Sequence, residues 1–422
     1  MHVDLNSCFA SIEQQANPHL RGKPVVVAAY TSPGGCVLTA SREAKLLHIE
    51  TGMRVRDARE ICPSVVVLPP DPAKYRFVNR KLLAILRSYT DDVEVKSIDE
   101  MVLGFKDCPF LSRDADADPL GIAGAMMRAA GEIKSRIKAE IGEWLTVSVG
   151  VATNRYLAKI AAGLHKPDGL DLIDAGNILG VLGGLELEGL TGIKSGNGGR
   201  LRWFGIGTAA DFYRASIPTL RAAFHSVVGY HWWLRLHGWE ADDREFGRKS
   251  YGQSHALYVP YVPGDPHLSQ VLCQLVEKMG RRMRADGYIA GGIHVSCLFA
   301  DHSFWHKGKK LPQTAYAGSD LYARASEVLR SAPSLPVKLL AVSSHYLTNE
   351  SYEQGELFTD NSRKRSLVAA LDAIRDRFGD SVIHPARMLS MEHKVLDRIA
   401  FGGVKGLEEM IFREPTEQEA WN

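Results

Sequence analysis

Short apolar runs alternate with helical apolar spacings over the first 166 residues. The run "HVDL" predicts a strand, and Val78, Leu82 and Ile85 then recur at helical spacing. "VEVKS" and "EMVLGF" predict a hairpin, which precedes a second helical periodicity and the strand "LTVSVGVA". Strand, helix, strand, strand, helix, strand is the order of a ferredoxin-like split βαβ sheet. We expect residues 1–10 and 73–166 to form this sheet.

Residues 11–72 interrupt that order and are expected to form a small inserted domain. "VVVAAY" predicts a buried strand, and "GGCVLTAS" predicts a strand that leads into a helix over "REAKLLHIETG". Gly52 is placed to terminate this helix, because glycine accepts the left-handed conformation common after a helix.

Beyond residue 166 the pattern changes twice. Residues 167–240 predict a small helical domain, in which "LTGIKSGNGGRLRWFGI" is typical of a helix-hairpin-helix. Residues 241–249 are charged and unpatterned and predict a linker. Residues 250–350 repeat the order strand, helix, strand, strand, helix, strand, and residues 351–422 form a C-terminal tail. The fold class is therefore α+β with several domains, as expected for 422 residues.

The net charge of +2 conceals an uneven distribution. Between Arg248 and Glu350 the sequence has 12 Lys and Arg against 7 Asp and Glu, which gives this repeat a net charge of +5. A basic module beside more acidic neighbours is compatible with binding to a polyanion.

Cysteine usage and hydropathy indicate an intracellular protein. The six cysteines show no C-x-x-C pair and no histidine at zinc-site spacing, which fits a reducing compartment. No apolar run approaches the length of a membrane span, and the N-terminus lacks the pattern of a signal peptide. We expect a cytoplasmic location and no membrane association.

Three carboxylates are the strongest chemical signal. Asp99 and Glu100 are adjacent in "KSIDE", at the predicted hairpin turn, so both side chains can leave the same end of the sheet. Asp4 lies within an apolar run, where a buried charge must be paired or must coordinate a metal. The first strand of a split βαβ sheet lies beside the hairpin, so the three acids are expected to meet and bind Mg²⁺. The alternative is that Asp4 caps a turn and the dyad is solvated.

Cations near these acids would suit a phosphate-containing substrate. Arg42 and Lys45 lie one turn apart on the predicted helix of the insertion, and Lys159 lies in "LAKIAAGLHKP". Together they are interpreted as a triphosphate clamp, although each alone could be an ordinary surface charge.

Four motifs in this order resemble those of Y-family translesion DNA polymerases, the DinB and UmuC type. They are "HVDLNSCFASIEQ", "GGCVLTASREAK", "SIDEMVL" and "VATNRYLAKIAAGLHKPDG". The resemblance implies a right-hand polymerase with a ferredoxin-like palm (1–10 and 73–166), small fingers (11–72), a helical thumb (167–240) and a βαββαβ little finger (250–350). Its partners would be primer-template DNA and deoxynucleoside triphosphates.

The same resemblance implies roles for individual residues. Asp4 and Asp99 are similar to the acids that bridge two Mg²⁺ ions, and Glu100 and the Leu5 carbonyl to further ligands. Phe9 is similar to the aromatic steric gate that rejects a 2′-hydroxyl. The positions that resemble the nucleotide-binding residues of the family are Cys36, Leu38, Arg42, Lys45 and Lys159.

Two positions depart from the DinB pattern. Arg42 and Lys45 stand where DinB-type enzymes usually carry Tyr and Arg, and "EAK" favours the UmuC branch. In the predicted thumb hairpin, "GIKSG" has Lys194 where a second glycine is usual, which would crowd a backbone approach to phosphate.

Two other classes of protein remain as alternatives. A catalytically inactive scaffold in a repair complex would have no need to cluster three acids. A nucleotide cyclase has a similar metal-dependent palm, but a helical thumb and a second basic module would serve no purpose in an enzyme that does not handle a duplex.

The tail has two interpretations. "QGELF", residues 354–358, resembles a sliding-clamp peptide, although Gly355 replaces the usual apolar residue. The amphipathic run "RKRSLVAALDAIRDRFG" alternatively predicts a tail helix that packs against its own domain.

Overall fold

The computed structural model describes residues 1–106, 108, 121–242, 248–349, 362–379 and 382–389. These residues fall into two compact units, residues 1–242 and residues 248–389. Among the described helices, none combines the length and the apolar character that crossing a bilayer requires.

The first unit mixes short strands with helices throughout. Its elements up to residue 103 are β1 (His2–Leu5), α1 (Cys8–Ala16), β2 (Val25–Ala28), β3 (Val37–Ala40), α2 (Arg42–Leu46), α3 (Val55–Ile61), β4 (Val66–Leu68), α4 (Pro72–Arg87), β5 (Val93–Val95) and β6 (Glu100–Leu103). The elements that follow are α5 (Gly121–Glu140), β7 (Val147–Ala152), α6 (Arg155–Leu164), β8 (Leu170–Ile173), α7 (Ile178–Gly183), α8 (Ser195–Trp203), α9 (Ala209–Arg214), α10 (Ile217–Phe224) and α11 (Val228–Leu236).

A five-stranded sheet with the order β5-β6-β1-β7-β8 forms the centre of this unit. β1 lies in the middle and pairs antiparallel with both β6 and β7. The predicted order strand, helix, strand, strand, helix, strand is present in β1, α4, β5, β6, α5 and β7. Val3 and Leu5 join a core with residues of α4 and α5, including Leu82 and Ile133.

The opposite face of the sheet carries the polar residues of β1 and is covered by α6. Neighbouring strand residues point to opposite faces, so His2 and Asp4 share the face that Val3 does not. Gly150 of β7 is the register partner of His2. A Cβ at Gly150 would lie 2.0 Å from the Ala158 oxygen and 2.3 Å from the Ala162 nitrogen, both in the backbone of α6. The glycine therefore lets α6 lie directly on the face that carries Asp4.

β8 corrects the sequence interpretation at this point. Residues 170–173 were assigned to the helical thumb segment, whereas the structure places them in the sheet, parallel to β7. The short stretch "LDLI" has no distinctive period. It forms a strand because α6 returns the chain to the edge of β7, where residues 170–173 can pair. The sheet therefore extends past residue 166.

The inserted segment has a sheet and a core of its own. β2 pairs antiparallel with β3 and parallel with β4, in the order β3-β2-β4. Its core consists of Val26, Val37, Ala40, Ala44, Ile49, Ala58, Cys62 and Val65.

The helix predicted over "REAKLLHIETG" is shorter than expected. α2 ends at Leu46, His48 adopts a positive φ of 63°, and the Ile49 N–H donates to the Ala44 carbonyl at 3.0 Å. Ile49 is completely buried in the core of the insertion. Burial of this side chain turns the chain out of the helix before Gly52, which lies in a later turn with a φ of 97°.

Helices α7 to α11 surround a separate aromatic and aliphatic core, in which Phe212 and Trp232 are in ring contact with centroids 5.5 Å apart. In "GIKSG", Gly192 has a φ of 95° and its Cβ position lies 3.1 Å from the Trp232 ring. Lys194 is exposed and immediately precedes α8.

The second unit is one sheet with helices packed on one face. Its elements are β9 (Ser250–Tyr261), α12 (Pro266–Ala285), β10 (Tyr288–Phe299), β11 (Phe304–Ala315), α13 (Gly318–Leu329), β12 (Val337–Asn349) and α14 (Ser362–Phe378). The strand order is β11-β10-β12-β9, and all pairs are antiparallel. In β10, Ile293, Val295 and Cys297 are buried in the core, whereas His294 and Ser296, which alternate with them, face the other side.

The amphipathic run after residue 361 forms α14. Asp372 of α14 accepts a hydrogen bond from Arg284 Nε at 2.6 Å, and Arg375 donates to Glu277 at 3.1 Å. Both partners lie on α12, so α14 packs against its own unit, as the second interpretation of the tail predicted. The 354–358 segment lies outside the described residues.

Candidate active site on the central sheet

Asp4 and Glu100 lie side by side on neighbouring strands. They are register partners in the β1–β6 ladder, which places both side chains on the face covered by α6. Ligand atoms of His2, Asp4 and Glu100 all lie within 4.8 Å of one another. Asp4 is buried and Glu100 is partly buried. Two carboxylates forced together in this way require positive charge nearby.

Asp99 lies beside this pair, in the turn that precedes β6. Its backbone carbonyl accepts a hydrogen bond from the Leu5 N–H at 2.8 Å, and its carboxylate accepts one from Ser97 Oγ. Ser97 Oγ in turn accepts from the Glu100 N–H at 3.1 Å. The turn thus lets adjacent acids share one end of the sheet, although the Asp99 carboxylate is not among the ligand atoms that lie within 4.8 Å of one another.

Two lysines neutralise the acid pair. Lys159 Nζ of α6 lies 2.8 Å and 2.6 Å from the two oxygens of Glu100. Lys166 Nζ lies 2.6 Å from Asp4 Oδ2. Both contacts are charge-assisted hydrogen bonds on partly buried carboxylates, where they are stronger than in water. α6 can deliver Lys159 to this position because Gly150 allows the helix to approach the sheet.

Burial and neighbouring charges together shift the pKa values of these acids in opposite directions. Burial raises the pKa of Asp4, an effect that Lys166 opposes and that the other acids reinforce. Burial likewise raises the pKa of Asp99, against the hydrogen bond from Ser97. For Glu100 burial also acts upward, but the hydrogen bonds and charge of Lys159 outweigh it and hold the pKa below its usual value. Burial therefore disfavours the ionised form of Asp4 and Asp99, whereas Lys159 favours the ionised form of Glu100.

The predicted cations of the insertion stand at different places around this site. The pKa of Lys45 is lowered by burial and then by the charge of Lys166, while Asp4 opposes both, so Lys45 lies within electrostatic reach of the acids. Arg42 is exposed at the first position of α2, which Ser41 caps. Lys45 thus interacts electrostatically with Asp4 and Lys166, whereas Arg42 lies at the exposed start of α2.

Phe9 is held rigidly in the first helix. It is 3% exposed and stacks on Tyr75, with ring centroids 4.3 Å apart and an interplanar angle of 10°. The Tyr75 hydroxyl donates to Glu13 at 2.9 Å, and Lys74 also donates to Glu13 at 2.9 Å. The ring of Phe9 thus has a fixed backing, as a steric barrier requires.

Leu38 lies on β3, and Cys36 is the residue immediately before this strand. Cys36 is exposed and forms an isolated bridge with Arg54, and Leu38 is half-buried against the core of the central sheet. The structure brings Leu38 to the insertion's boundary with the sheet, and it leaves Cys36 open to solvent.

Sequence comparison identifies the family to which this site belongs. Residues 3–163 match the impB/mucB/samB family, and residues 248–357 match the impB/mucB/samB family C-terminal domain. The chain is 34% identical over 394 residues to DNA polymerase IV of Moorella thermoacetica, which covers 92% of this chain and 95% of that protein. The chain belongs to the Y-family of DNA polymerases.

Other relatives agree with the DinB-like assignment. DNA polymerase IV of Pelotomaculum thermopropionicum is 32% identical over 388 residues, covering 90% of this chain and 93% of that protein. A solved chimera of the Y-family polymerases Dbh and Dpo4 superposes with a TM-score of 0.69 at 26% identity, covering 82% of this chain and 98% of the chimera. The predicted family and α+β fold class are confirmed, and the DinB branch replaces the UmuC leaning of "EAK".

The Y-family assignment makes this chain a low-fidelity translesion DNA polymerase, a DNA-directed nucleotidyltransferase that acts opposite damaged bases. Enzymes of this family depend on metal ions, and the carboxylate face contains a group of ligands that could hold them. Neither the intact acids and lysines nor the comparisons favour an inactive scaffold.

Two residues of this Y-family site were missed by sequence reasoning. Lys166 follows α6 by two residues, and a lysine beside Pro167 gives no sign that the chain returns to Asp4. His2 is 2% exposed, and its Nε2 lies 3.9 Å from Glu100 Oε2. Its place beside the acids could have been inferred from Asp4, because residues two apart on a strand share a face.

Proposed function

We propose that the chain extends a primer on template DNA with Mg²⁺, two ions per active site, bound by Asp4, Asp99, Glu100 and the Leu5 carbonyl. The observation that supports this most strongly is the in-register pair Asp4 and Glu100, with a lysine on each carboxylate. A purely structural network of ion pairs could form at any position in the fold. This network lies at the end of the sheet, beside the hairpin that carries Asp99.

The residues present fit Mg²⁺. Carboxylate and carbonyl oxygens are the ligands this hard cation prefers, and it usually binds through a few carboxylates together with water and phosphate. Burial raises the pKa of Asp4 and of Asp99 even with Lys166 in place, which supports a site that would gain from added positive charge. When bound, the two ions lower the pKa of the primer hydroxyl and neutralise the leaving pyrophosphate.

The lysines supply the second part of the proposal. Lys159 and Lys166 each contact a carboxylate that would hold metal, and with those carboxylates on metal ions their ammonium groups would be free to bind another anion. The phosphate oxygens of a deoxynucleoside triphosphate would accept charge-assisted hydrogen bonds from Lys159, and also from Lys45 of the insertion. Arg42, exposed at the start of α2 in the same insertion, would add a third contact to the triphosphate. Cys36 and Leu38 would cover the nascent base pair.

Phe9 is proposed as the sugar discriminator. The stack on Tyr75 fixes its ring, so a 2′-hydroxyl on the incoming nucleotide would meet a side chain that cannot retreat. Selectivity by such a barrier is a difference of affinities between two sugars.

Primer-template DNA is the proposed partner of both units. Three of the solved relatives are described as ternary or binary complexes of Dbh, which supports the same for this chain. We propose the domain map palm, fingers, thumb, linker (241–249), little finger and tail with the boundaries given above, with β8 added to the palm. Clamp binding through residues 354–358 and a cytoplasmic location, which six unpaired cysteines favour, remain predictions.

Primer extension tests the proposal. Purified protein with Mg²⁺ should add nucleotides to a primer on an undamaged template and across an abasic site. EDTA should abolish both activities. A protein that binds primer-template DNA but adds no nucleotide with any divalent ion would contradict the proposal.

A further inference from the structure

Three histidines lie together on the outer face of the second unit's sheet, far in sequence from the acids of the first unit. His306 is on β11, His294 on β10 and His345 on β12, three neighbouring strands. His306 pairs in register with Ser296, and His345 pairs with Gly292. Each is therefore the diagonal neighbour of His294, on the face opposite the buried Ile293 and Val295.

The first two imidazoles are already in contact. His294 Nε2 and His306 Nδ1 lie 3.1 Å apart. The ring of His345 approaches His294 from the other side, with centroids 5.8 Å apart and the rings at 80°. Two nitrogens on one zinc ion, each at about 2.0–2.1 Å, lie roughly 3.3 Å apart when the geometry is tetrahedral. The observed separation is close to that value.

A glycine opens space beside the ring of His294. Gly308 is the register partner of His294, and a Cβ there would lie 3.3 Å from His294 Cδ2, which is tighter than usual. A larger residue at position 308 would restrict the rotation of the His294 imidazole. Gly292 is the register partner of His345, but a Cβ there would lie 2.7 Å from Tyr346 Cδ2, so this glycine makes room for the Tyr346 ring.

A neutral imidazole is the form that binds metal, and the surroundings favour that form at His294. Burial lowers the pKa of His294, and His306 and His345 lower it further. Lys309 is paired with Glu327, Lys307 donates to Ser331 Oγ at 3.2 Å, and Lys310, the register partner of Gly292, has its Nζ 6.0 Å from the centroid of the Tyr346 ring. An N–H···N hydrogen bond would explain His294 and His306 alone, but it does not explain a third ring beside them.

We propose that His294, His306 and His345 form a binding site for a borderline first-row divalent cation such as Zn²⁺, with water as the fourth ligand. Imidazole nitrogens suit Zn²⁺, Ni²⁺ and Cu²⁺, whereas Mg²⁺ prefers oxygen, so this site is chemically distinct from the carboxylate site. His345 Nε2 now contacts Ser343 Oγ at 2.9 Å, and the three histidines do not yet converge within 4.8 Å. Rotation of the His345 ring towards His294 completes the site.

Calorimetric titration of the full chain with Zn²⁺, in excess Mg²⁺ to occupy the oxygen ligands, tests this assignment. Wild type should bind one Zn²⁺ that His294→Gln and His306→Gln lose. His345→Gln should weaken this binding by at least about tenfold, as expected for one lost ligand. His302→Asn is the matched control, because His302 is exposed on the β10–β11 turn and asparagine tolerates its φ of 68°. This control should bind as wild type does.

Electron paramagnetic resonance of Cu²⁺ bound to wild type gives a readout that needs no variant. Couplings from three imidazole nitrogens are expected, and circular dichroism of the metal-free variants checks that each is folded. The proposal is overturned if His294→Gln binds Zn²⁺ as wild type does, if His345→Gln retains full affinity, or if wild type in excess Mg²⁺ binds no Zn²⁺.

Discussion

The central sheet of the first unit and the sheet of the second unit share an element order and differ in what their second faces carry. In both, one face is apolar and packs on helices. The other face of the first sheet bears Asp4 and Glu100 under α6, whereas the corresponding face of β10 bears His294, Ser296 and Leu298.

This difference shows how one topology serves two purposes. A covered face can hold charges in a low-dielectric environment, where they act strongly on a reacting group and must be neutralised. The outer face of β10 instead presents a histidine, a serine and a leucine, so the cation site proposed there depends on imidazole nitrogens and needs no neutralised carboxylates. The element that decides between these outcomes is the helix that Gly150 admits to the first sheet.

The largest expected effect comes from that glycine. Gly150→Ala places a Cβ 2.0 Å from a backbone oxygen of α6. Relief of this clash requires the backbone of β7 or of α6 to move, because no flexible side chain is involved. We expect a loss of about 2–3 kcal/mol in the free energy of unfolding, the upper end of what overpacking usually costs. Denaturant unfolding of the full chain measures it.

Gly252→Ala in β9 is the matched control, since its Cβ would meet Ser343 Cβ at an ordinary 3.5 Å. We expect a change of less than about 0.5 kcal/mol there. Equal destabilisation by the two substitutions would show that the close approach of α6 does not matter.

The second-largest expected effect is on catalysis, from removal of Lys159 on α6. Lys159→Ala deletes a charge-assisted hydrogen bond to the triphosphate, so kcat/KM for the incoming nucleotide should fall by about tenfold to a hundredfold. Single-nucleotide incorporation kinetics measure this. Lys309→Ala, a lysine of the other sheet paired with Glu327, should change kcat/KM by less than about twofold. If the two variants behave alike, Lys159 has no specific role.

Phe9 offers a test of selectivity. Phe9→Ala removes the ring that Tyr75 backs, so discrimination against ribonucleotides should fall by at least about tenfold while deoxynucleotide incorporation continues. The ratio of kcat/KM values for the two sugars is the measurement. Unchanged discrimination in an active variant would remove Phe9 from this role.

The smallest expected effect concerns pH and the metal-free protein. Because the pKa of Asp4 is raised on folding, the native state binds more protons than the unfolded state just above the usual carboxyl range, so this acid lowers stability as pH rises there. Asp4→Asn should therefore melt slightly higher than wild type at neutral pH in EDTA, and the difference should shrink as the solution is acidified below the usual carboxyl range. A variant that melts lower at neutral pH would show that the bond to Lys166 dominates.

The sequence allowed the acids to be predicted because their signals are local. Asp99 lies in the hairpin turn, Glu100 begins the strand after it, and Asp4 interrupts an apolar strand, so topology pairs Asp4 with Glu100 and places Asp99 beside them. Lys159 was predicted from its helix in the same way. β8 and Lys166 were not predicted, because their positions depend on how the chain returns after α6. The early end of α2 depends on the burial of Ile49, which local helical spacing does not reveal.

The central claim is that the carboxylate face of the first sheet is a catalytic metal centre, and Asp99→Ala tests it most directly. Extension rate, DNA affinity and melting temperature in EDTA are measured side by side for wild type and variant. We expect extension with Mg²⁺ to fall at least about a thousandfold, since several kcal/mol of transition-state stabilisation are lost. DNA affinity should persist, and the metal-free variant should melt at the same temperature or higher, because the carboxylate is unfavourable when buried. A variant that extends primers at the rate of wild type would contradict the account.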